Sequence, residues 1–201
     1  MNACVVPVIG EEMHWVNHPV DWTVDGLDGL TVKAGAKTDY FTDPQTNQPR
    51  NNAPGAFFAV DAPDVLLSAK LTVDFASDFD AGALFVYDRD DLWGKLCFEY
   101  SPRKEPMIVS VINRGTSDDC NGVVIDGNQV YLRVAKLGDV FAFHYSTDGR
   151  FWHFVRYFTL GPLQDLKLGF SAQSPTGEGC TVAFSEIAYS QERLQDRRSG
   201  V

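Results

Sequence analysis

Short runs in which apolar and polar residues alternate recur along the chain, separated by turn residues. Alternation of this kind is the signature of strands with one buried face. Leu71, Val73 and Phe75 alternate with Lys70, Thr72 and Asp74. Val130 to Lys136 reads as a strand with Leu132 and Val134 inward, and Gly138-Asp139 turns the chain into Val140 to Ser146. There Phe141, Phe143 and Tyr145 share one face, while Ala142, His144 and Ser146 share the other. Thr147-Asp148-Gly149 is a hairpin turn leading to Phe151–Phe158. Asp21 to Val24 and Leu30 to Ala34 form a hairpin about Gly26, Asp28 and Gly29. Ala56 to Val60, Leu166 to Ser171 and Cys180 to Tyr189 are further strands. No amphipathic helix is visible. The pattern predicts an all-β sandwich of two antiparallel sheets. No repeat or linker interrupts it, so one domain is expected over 1–190. The polar, partly basic stretch 191–201 is expected to be a frayed turn or a disordered tail. Thr42 to Gly55, rich in Asp, Pro, Asn and Gln, reads as a long loop that is either functional or mobile.

The stretch from Leu84 to Asp119 carries the most information. It reads as three strands: Leu84 to Tyr87, Leu92 to Tyr100 and Met107 to Asn113. Along the middle one, Leu92, Leu96, Phe98 and Tyr100 make a core face, with Gly94 as a gap. Trp93, Lys95, Cys97 and Glu99 make the opposite face. A Lys–Glu pair beside a half-buried Trp accounts for that face; so does a groove that presents an aromatic and two charges to a ligand.

Composition narrows the function classes. With 44% hydrophobic residues and 14 Phe among 201 residues, the chain has a globular composition. A net charge of −10 opposes nucleic acid and anionic membranes as partners, and no basic stripe with interleaved aromatics is present. No apolar stretch approaches a membrane span, and the first residues lack a signal peptide's basic region. The four cysteines, at 4, 97, 120 and 180, form no CxxC pair. A reducing, cytoplasmic setting and no disulfide are expected. No cofactor is expected, because P-loop, dinucleotide and nucleophile-elbow motifs are absent. No metal is expected: the four histidines have no ligand spacing, and the acidic turns at 88–91 and 118–119 lack a calcium pattern.

Several ordered motifs then match a known family: YDRDDLWGKLCFEY, SVINRGTSDD, YLRVAKLGD, YSTDGRFWHFVR and GFSAQSP. Over roughly Trp15 to Tyr189 the chain closely resembles a family of concanavalin A-like domains of unknown function, which includes the regulation-of-enolase protein. The resemblance implies a concanavalin A-like jelly-roll sandwich of two antiparallel sheets, one of them concave. It places Trp93, Lys95, Glu99, Ser117, Asp118, Arg133 and Arg156 in family motifs. The family often has an aromatic after the Ser-Asp pair, where this chain has Asp119. It brings no established activity with it.

Sugar-cleaving members of this fold class carry a Glu-x-Asp-x-x-Glu pattern on one strand, whereas here Lys95 and Cys97 stand beside Glu99. Binding asks for less than cleavage: an aromatic face and a few planar hydrogen-bonding groups. Alternation places Trp93, Lys95, Glu99, Arg133, His144 and Gln173 on outward faces, with Asp118 at a rim. These seven are the candidate ligand-binding residues, expected on one concave polar surface; none is assigned a catalytic role. A structural salt-bridge network of Arg133 and Lys95 with Glu99 and Asp118 accounts for the same charges, and His144 is equally a packed histidine. The expectation is a non-catalytic cytoplasmic binding module for a carbohydrate or related polyhydroxylated metabolite. The alternatives are a regulator acting through protein contacts, and a sugar-active hydrolase.

Overall fold

The alternating runs become strands in the structure, a computed structural model that describes residues 3–201. In chain order they are β1 (Ala3–Val5), β2 (Glu12–Val16), β3 (Asp21–Asp25), β4 (Gly29–Gly35), β5 (Tyr40–Thr42) and β6 (Pro49–Asn51). Then come β7 (Gly55–Ala59), β8 (Asp64–Val73), β9 (Ala81–Arg89), β10 (Leu92–Tyr100), β11 (Pro106–Arg114) and β12 (Thr116–Val124). The last five are β13 (Gln129–Leu137), β14 (Val140–Ser146), β15 (His153–Phe158), β16 (Lys167–Gln173) and β17 (Gly179–Ser190). An eight-stranded sheet runs β1-β2-β7-β16-β9-β10-β11-β12, and a seven-stranded sheet runs β15-β14-β13-β8-β17-β4-β3. Strands β5 and β6 pair only with each other. The two large sheets pack face to face as a jelly-roll sandwich.

The main core lies between the sheets. Leu96, Phe98 and Phe170 come from the eight-stranded side, and Leu132, Val134 and Phe143 from the seven-stranded side. These are the inward residues that alternation identifies. Gly94 also faces this core: a Cβ there would sit 3.0 Å from Ile112 and 3.1 Å from Phe158.

A second apolar cluster occupies the outer face of the eight-stranded sheet, where Phe57, Phe85, Trp93, Cys97 and Val109 pack beneath Tyr40. The segment read as a long loop holds β6, which pairs with β5 at its entrance in a β-ribbon that roofs part of that face. Residues 191–201 lie against the outer face of the other sheet. Leu194 is buried with Ala135, Leu137 and Ala142, and Gly200 is buried against Arg133 and Trp152. The expectation of a frayed or disordered tail gives way to a docked segment. Its polarity conceals one apolar anchor and a glycine at positive φ. No helix among the described residues is long and apolar enough to cross a membrane.

Candidate functional site

The outer row of β10 is Trp93, Lys95, Cys97 and Glu99, as the two-residue period requires. Register extends that row across the sheet. Lys95 pairs with Phe85 and Val111, and Val111 with Asp119; Glu99 pairs with Ala81, and Ala81 with Gln173. The β5–β6 ribbon is fastened over this surface by polar contacts. Asn17 Nδ2 donates to the carbonyls of Asn51 and Ala53, at 2.9 and 3.0 Å, and to the Tyr40 hydroxyl. The Thr42 N–H donates to Ser117 Oγ at 2.9 Å, and Ser117 in turn donates to Asn113 Oδ1. Asn51 Nδ2 donates to the Asp90 carbonyl.

Trp93 lies wholly beneath this roof. It is 0% exposed, its ring is 6.0 Å from Tyr40 and 5.7 Å from Phe85, and its Nε1–H donates to the Asp90 carbonyl. It is a core residue of the second cluster and offers no open face to a ligand.

Where the roof ends, a cavity of about 310 Å³ opens beside it. Its polar lining is Asp39, Arg50, Lys95, Glu99, Asp119, Gln173 and Thr176; its apolar lining is Phe41, Phe79, Val111 and Pro175. Lys95 is only 2% exposed, and its Nζ donates to Gln173 Oε1 at 2.7 Å and lies 3.5 Å from Asp39 Oδ1. Gln173 Nε2 donates to the Phe79 carbonyl at 3.3 Å, which orients the amide to receive the lysine. Glu99 has no hydrogen-bond partner among the described residues, and its half-buried side chain looks into the cavity. The Asp119 carboxyl is met by the backbone N–H of Cys120.

The charges act on one another. Burial raises the Glu99 carboxyl to about 8; Lys95 opposes that rise, and Asp119 and Asp39 add to it. Burial also raises Asp119, with Lys95 as the main opposing charge. Burial alone would lower Lys95, yet its pKa is raised, because its interactions with Cys97 and then with Asp39, Glu99 and Asp119 outweigh the desolvation. Burial pushes the Cys97 thiol up, so it stays neutral under the pocket floor. A hollow of about 390 Å³ between β12 and β15 is larger but holds no buried charge. No group of three His, Cys, Asp or Glu side chains among the described residues is placed to hold a metal ion.

Of the seven residues expected on one surface, Lys95, Glu99 and Gln173 come together here. The others do not join them, and the single-surface expectation is corrected on four counts. Trp93 shares the face but is roofed over. Arg133 and His144 lie on β13 and β14, on the far side of the sandwich. Leu132 and Val134 point from β13 into the core, so Arg133 points away from the eight-stranded sheet altogether. Arg133 Nη2 donates to the Gly200 carbonyl, its guanidinium lies 4.2 Å from the Trp152 ring centre, and its Nε has no partner. His144 Nε2 donates to the Arg197 carbonyl at 2.7 Å, and burial lowers its pKa to about 4, so the ring is neutral. Asp118 is off by one residue. It pairs with Ile112 and so takes the core-facing side at the sheet edge, where it meets Arg156 of β15 at 2.9 Å. Its neighbour Asp119 faces the cavity.

Sequence reasoning missed Asp39, Phe41, Arg50, Phe79 and Asp119 as pocket residues. Only Asp119 had a usable signal: had β12 been read as a strand paired to β11, parity with Val111 would have placed it. Asp39 and Phe79 come from connecting segments and Phe41 and Arg50 from the three-residue strands of the ribbon, none long enough to leave a periodic trace.

Comparison with known proteins agrees with the architecture. A protein of unknown function from Saccharomyces cerevisiae superposes with a TM-score of 0.78 at 25% identity, covering 89% of this chain and 95% of that one. A GH43 protein from Bacillus licheniformis matches with a TM-score of 0.71 at 16% identity, covering 90% of this chain but 37% of the longer one. An alginate lyase from Klebsiella pneumoniae matches with a TM-score of 0.51 at 11% identity, covering 84% of this chain and 83% of that one. The last two likenesses are of fold alone. No curated protein matches the chain. The model of a family described as protein of unknown function (DUF1349) matches residues 15–192, and the chain belongs to that family.

Proposed function

We propose that the chain is a binding module for a carbohydrate or related polyhydroxylated small molecule, held in the cavity beside the β5–β6 ribbon. The observation that carries this reading is the division of the lining. Phe41 and Phe79 supply aromatic surface for the C–H face of a ring, while Glu99 and Asp119 hold carboxyls that no protein side chain satisfies. Hydroxyl groups are the natural donors to such carboxyls. A volume of about 310 Å³ suits one sugar ring, at the small end of ligand pockets. Lys95, fixed by Gln173 and Asp39, costs nothing to reorganise when a ligand arrives.

Thermal-shift and ligand-observed NMR titrations with neutral mono- and disaccharides test this. Binding is expected to weaken about ten-fold or more in Phe41→Ala and in Asp119→Asn, and to persist in Arg133→Lys on the far sheet. If no sugar binds, or if binding survives both pocket substitutions, the reading fails. A sugar-cleaving reading draws on the same residues, because Glu99 is held protonated near neutrality beside a second carboxyl. Release of reducing ends that disappears in Glu99→Gln would favour cleavage over binding alone.

A further inference from the structure

The pocket holds more carboxyls than cations. Three carboxyls line it, Asp39, Glu99 and Asp119, against two cations, Lys95 and Arg50. Lys95 is already committed: Gln173 Oε1 accepts a hydrogen bond from it and Asp39 is its counter-ion. Arg50 is exposed, on the β6 end of the ribbon. That leaves Glu99 and Asp119 without a cation in ion-pair contact among the described residues, one from β10 and one from the edge strand β12, both open to the same cavity.

We infer that the pocket is built for a basic, hydroxylated ring, an amino sugar or a comparable polyhydroxylated amine, whose ammonium group is held by Glu99 and Asp119. This rests on the proposal that the cavity takes a polyhydroxylated ligand, and it specifies the charge of that ligand. An ammonium group offers several donors and one positive charge to two carboxyls that have no side-chain donor and no paired cation among the described residues. In a site partly closed from water such a pairing is worth more than at the surface. A neutral sugar satisfies the same oxygens without cancelling their charge. An acidic sugar adds a carboxylate beside Asp39 and Asp119 and opposes the ionisation of Glu99.

The field inside the pocket agrees with this count. The pKa of Lys95 is raised despite its burial, because Cys97, Asp39, Glu99 and Asp119 around it favour its charged form. The groups facing Glu99 are Lys95 and Cys97 from its own strand, Asp119 from β12, and Asp39 and Arg50 from the segment above. Among them only Lys95 and Arg50 are positive. An arriving ammonium therefore favours the ionised form of Glu99, and binding expels the proton that Glu99 holds.

The test is isothermal titration of the full chain, just below neutral pH. Glucose and galactose are each used as the neutral sugar, the 2-amino-2-deoxy sugar and the uronic acid. Two buffers with different heats of ionisation report protons released. For at least one sugar the amino form is expected to bind about ten-fold or more tightly than the neutral form, and the uronic acid more weakly still. Binding of the amino form is expected to release close to one proton, and neither the release nor the full preference is expected in Glu99→Gln. Equal affinity for neutral and amino forms, tighter binding of the uronic acid, or no proton release overturns the inference while the polyol reading stands. Failure of all six sugars to bind overturns both.

Discussion

Glu99 and Asp119 differ from Asp39, the third carboxyl of the pocket, in having no cation in ion-pair contact among the described residues. For Glu99 this has a consequence for stability. Its carboxyl is raised from 4.5 to about 8 in the folded chain, so between those values the folded state binds more protons than the unfolded state. This residue therefore makes stability fall as pH rises through that window, and below 4.5 it contributes no difference. Glu99→Gln carries the neutral form permanently. Its melting temperature is expected to exceed that of the parent on the alkaline side of 8 and to converge with it on the acid side of 4.5; parallel melting curves across the window would contradict the assignment. Asp118 and Asp119 make a matched pair of tests. Asp118→Asn removes a partly exposed ion pair with Arg156, worth about 0–1 kcal/mol in chemical denaturation, and leaves ligand affinity alone. Asp119→Asn is expected to do the reverse. Trp93→Ala is expected to cost about 3–5 kcal/mol in urea unfolding, because the indole is enclosed by Tyr40 and Phe85. A cost below about 1 kcal/mol would mean that the roof does not close over it.

At the scale of elements, the β5–β6 ribbon decides what the outer face of the large sheet can do. It buries one end of the β10 row and leaves the other end open. Asn17 is its main fastening, with bonds to Tyr40, Asn51 and Ala53. Asn17→Ala is expected to cost about 1–3 kcal/mol and to speed amide exchange over residues 40–51 ahead of the rest of the sheet. Uniform exchange would place the fastening elsewhere. Next to it, Gly169 allows β7 to lie close to β16. A Cβ there would fall 1.9 Å from the Ala56 carbonyl oxygen and 2.7 Å from the Phe57 ring, so Gly169→Ala is expected to destabilise the chain by disturbing that strand pair. These elements also show why the sequence was only partly legible. Strands such as β8, β13 and β14 announce themselves because one face is core and the other is not. The ribbon escapes notice because Asp43, Pro44, Gln45 and Asn47 dominate its composition, while Tyr40, with Phe41 beside it, carries its anchorage to the apolar cluster. Strand β12 escapes because an edge strand, exposed from Asp118 to Val124, has no apolar period to display.

Across the whole molecule, alternation along a strand gives the side on which a residue lies, but it does not say which sheet the strand enters. Lys95, Glu99 and Gln173 were brought together correctly because β10, β9 and β16 are neighbours in one sheet. Arg133 and His144 satisfied the same alternation rule and belong to the other sheet, where the segment 191–201 covers them. The sandwich thus has two polar outer faces. One is closed by the chain's own docked segment, and the other holds an open cavity with unpaired carboxyls. The account depends on the second being the ligand face. The most direct measurement is chemical-shift mapping of the isotopically labelled chain during titration with an amino sugar or a neutral sugar. The account predicts saturable shifts at Asp39, Phe41, Glu99, Asp119 and Gln173, with Arg133, His144 and Gly200 unmoved. Saturable shifts confined to the Arg133–His144 face would contradict it.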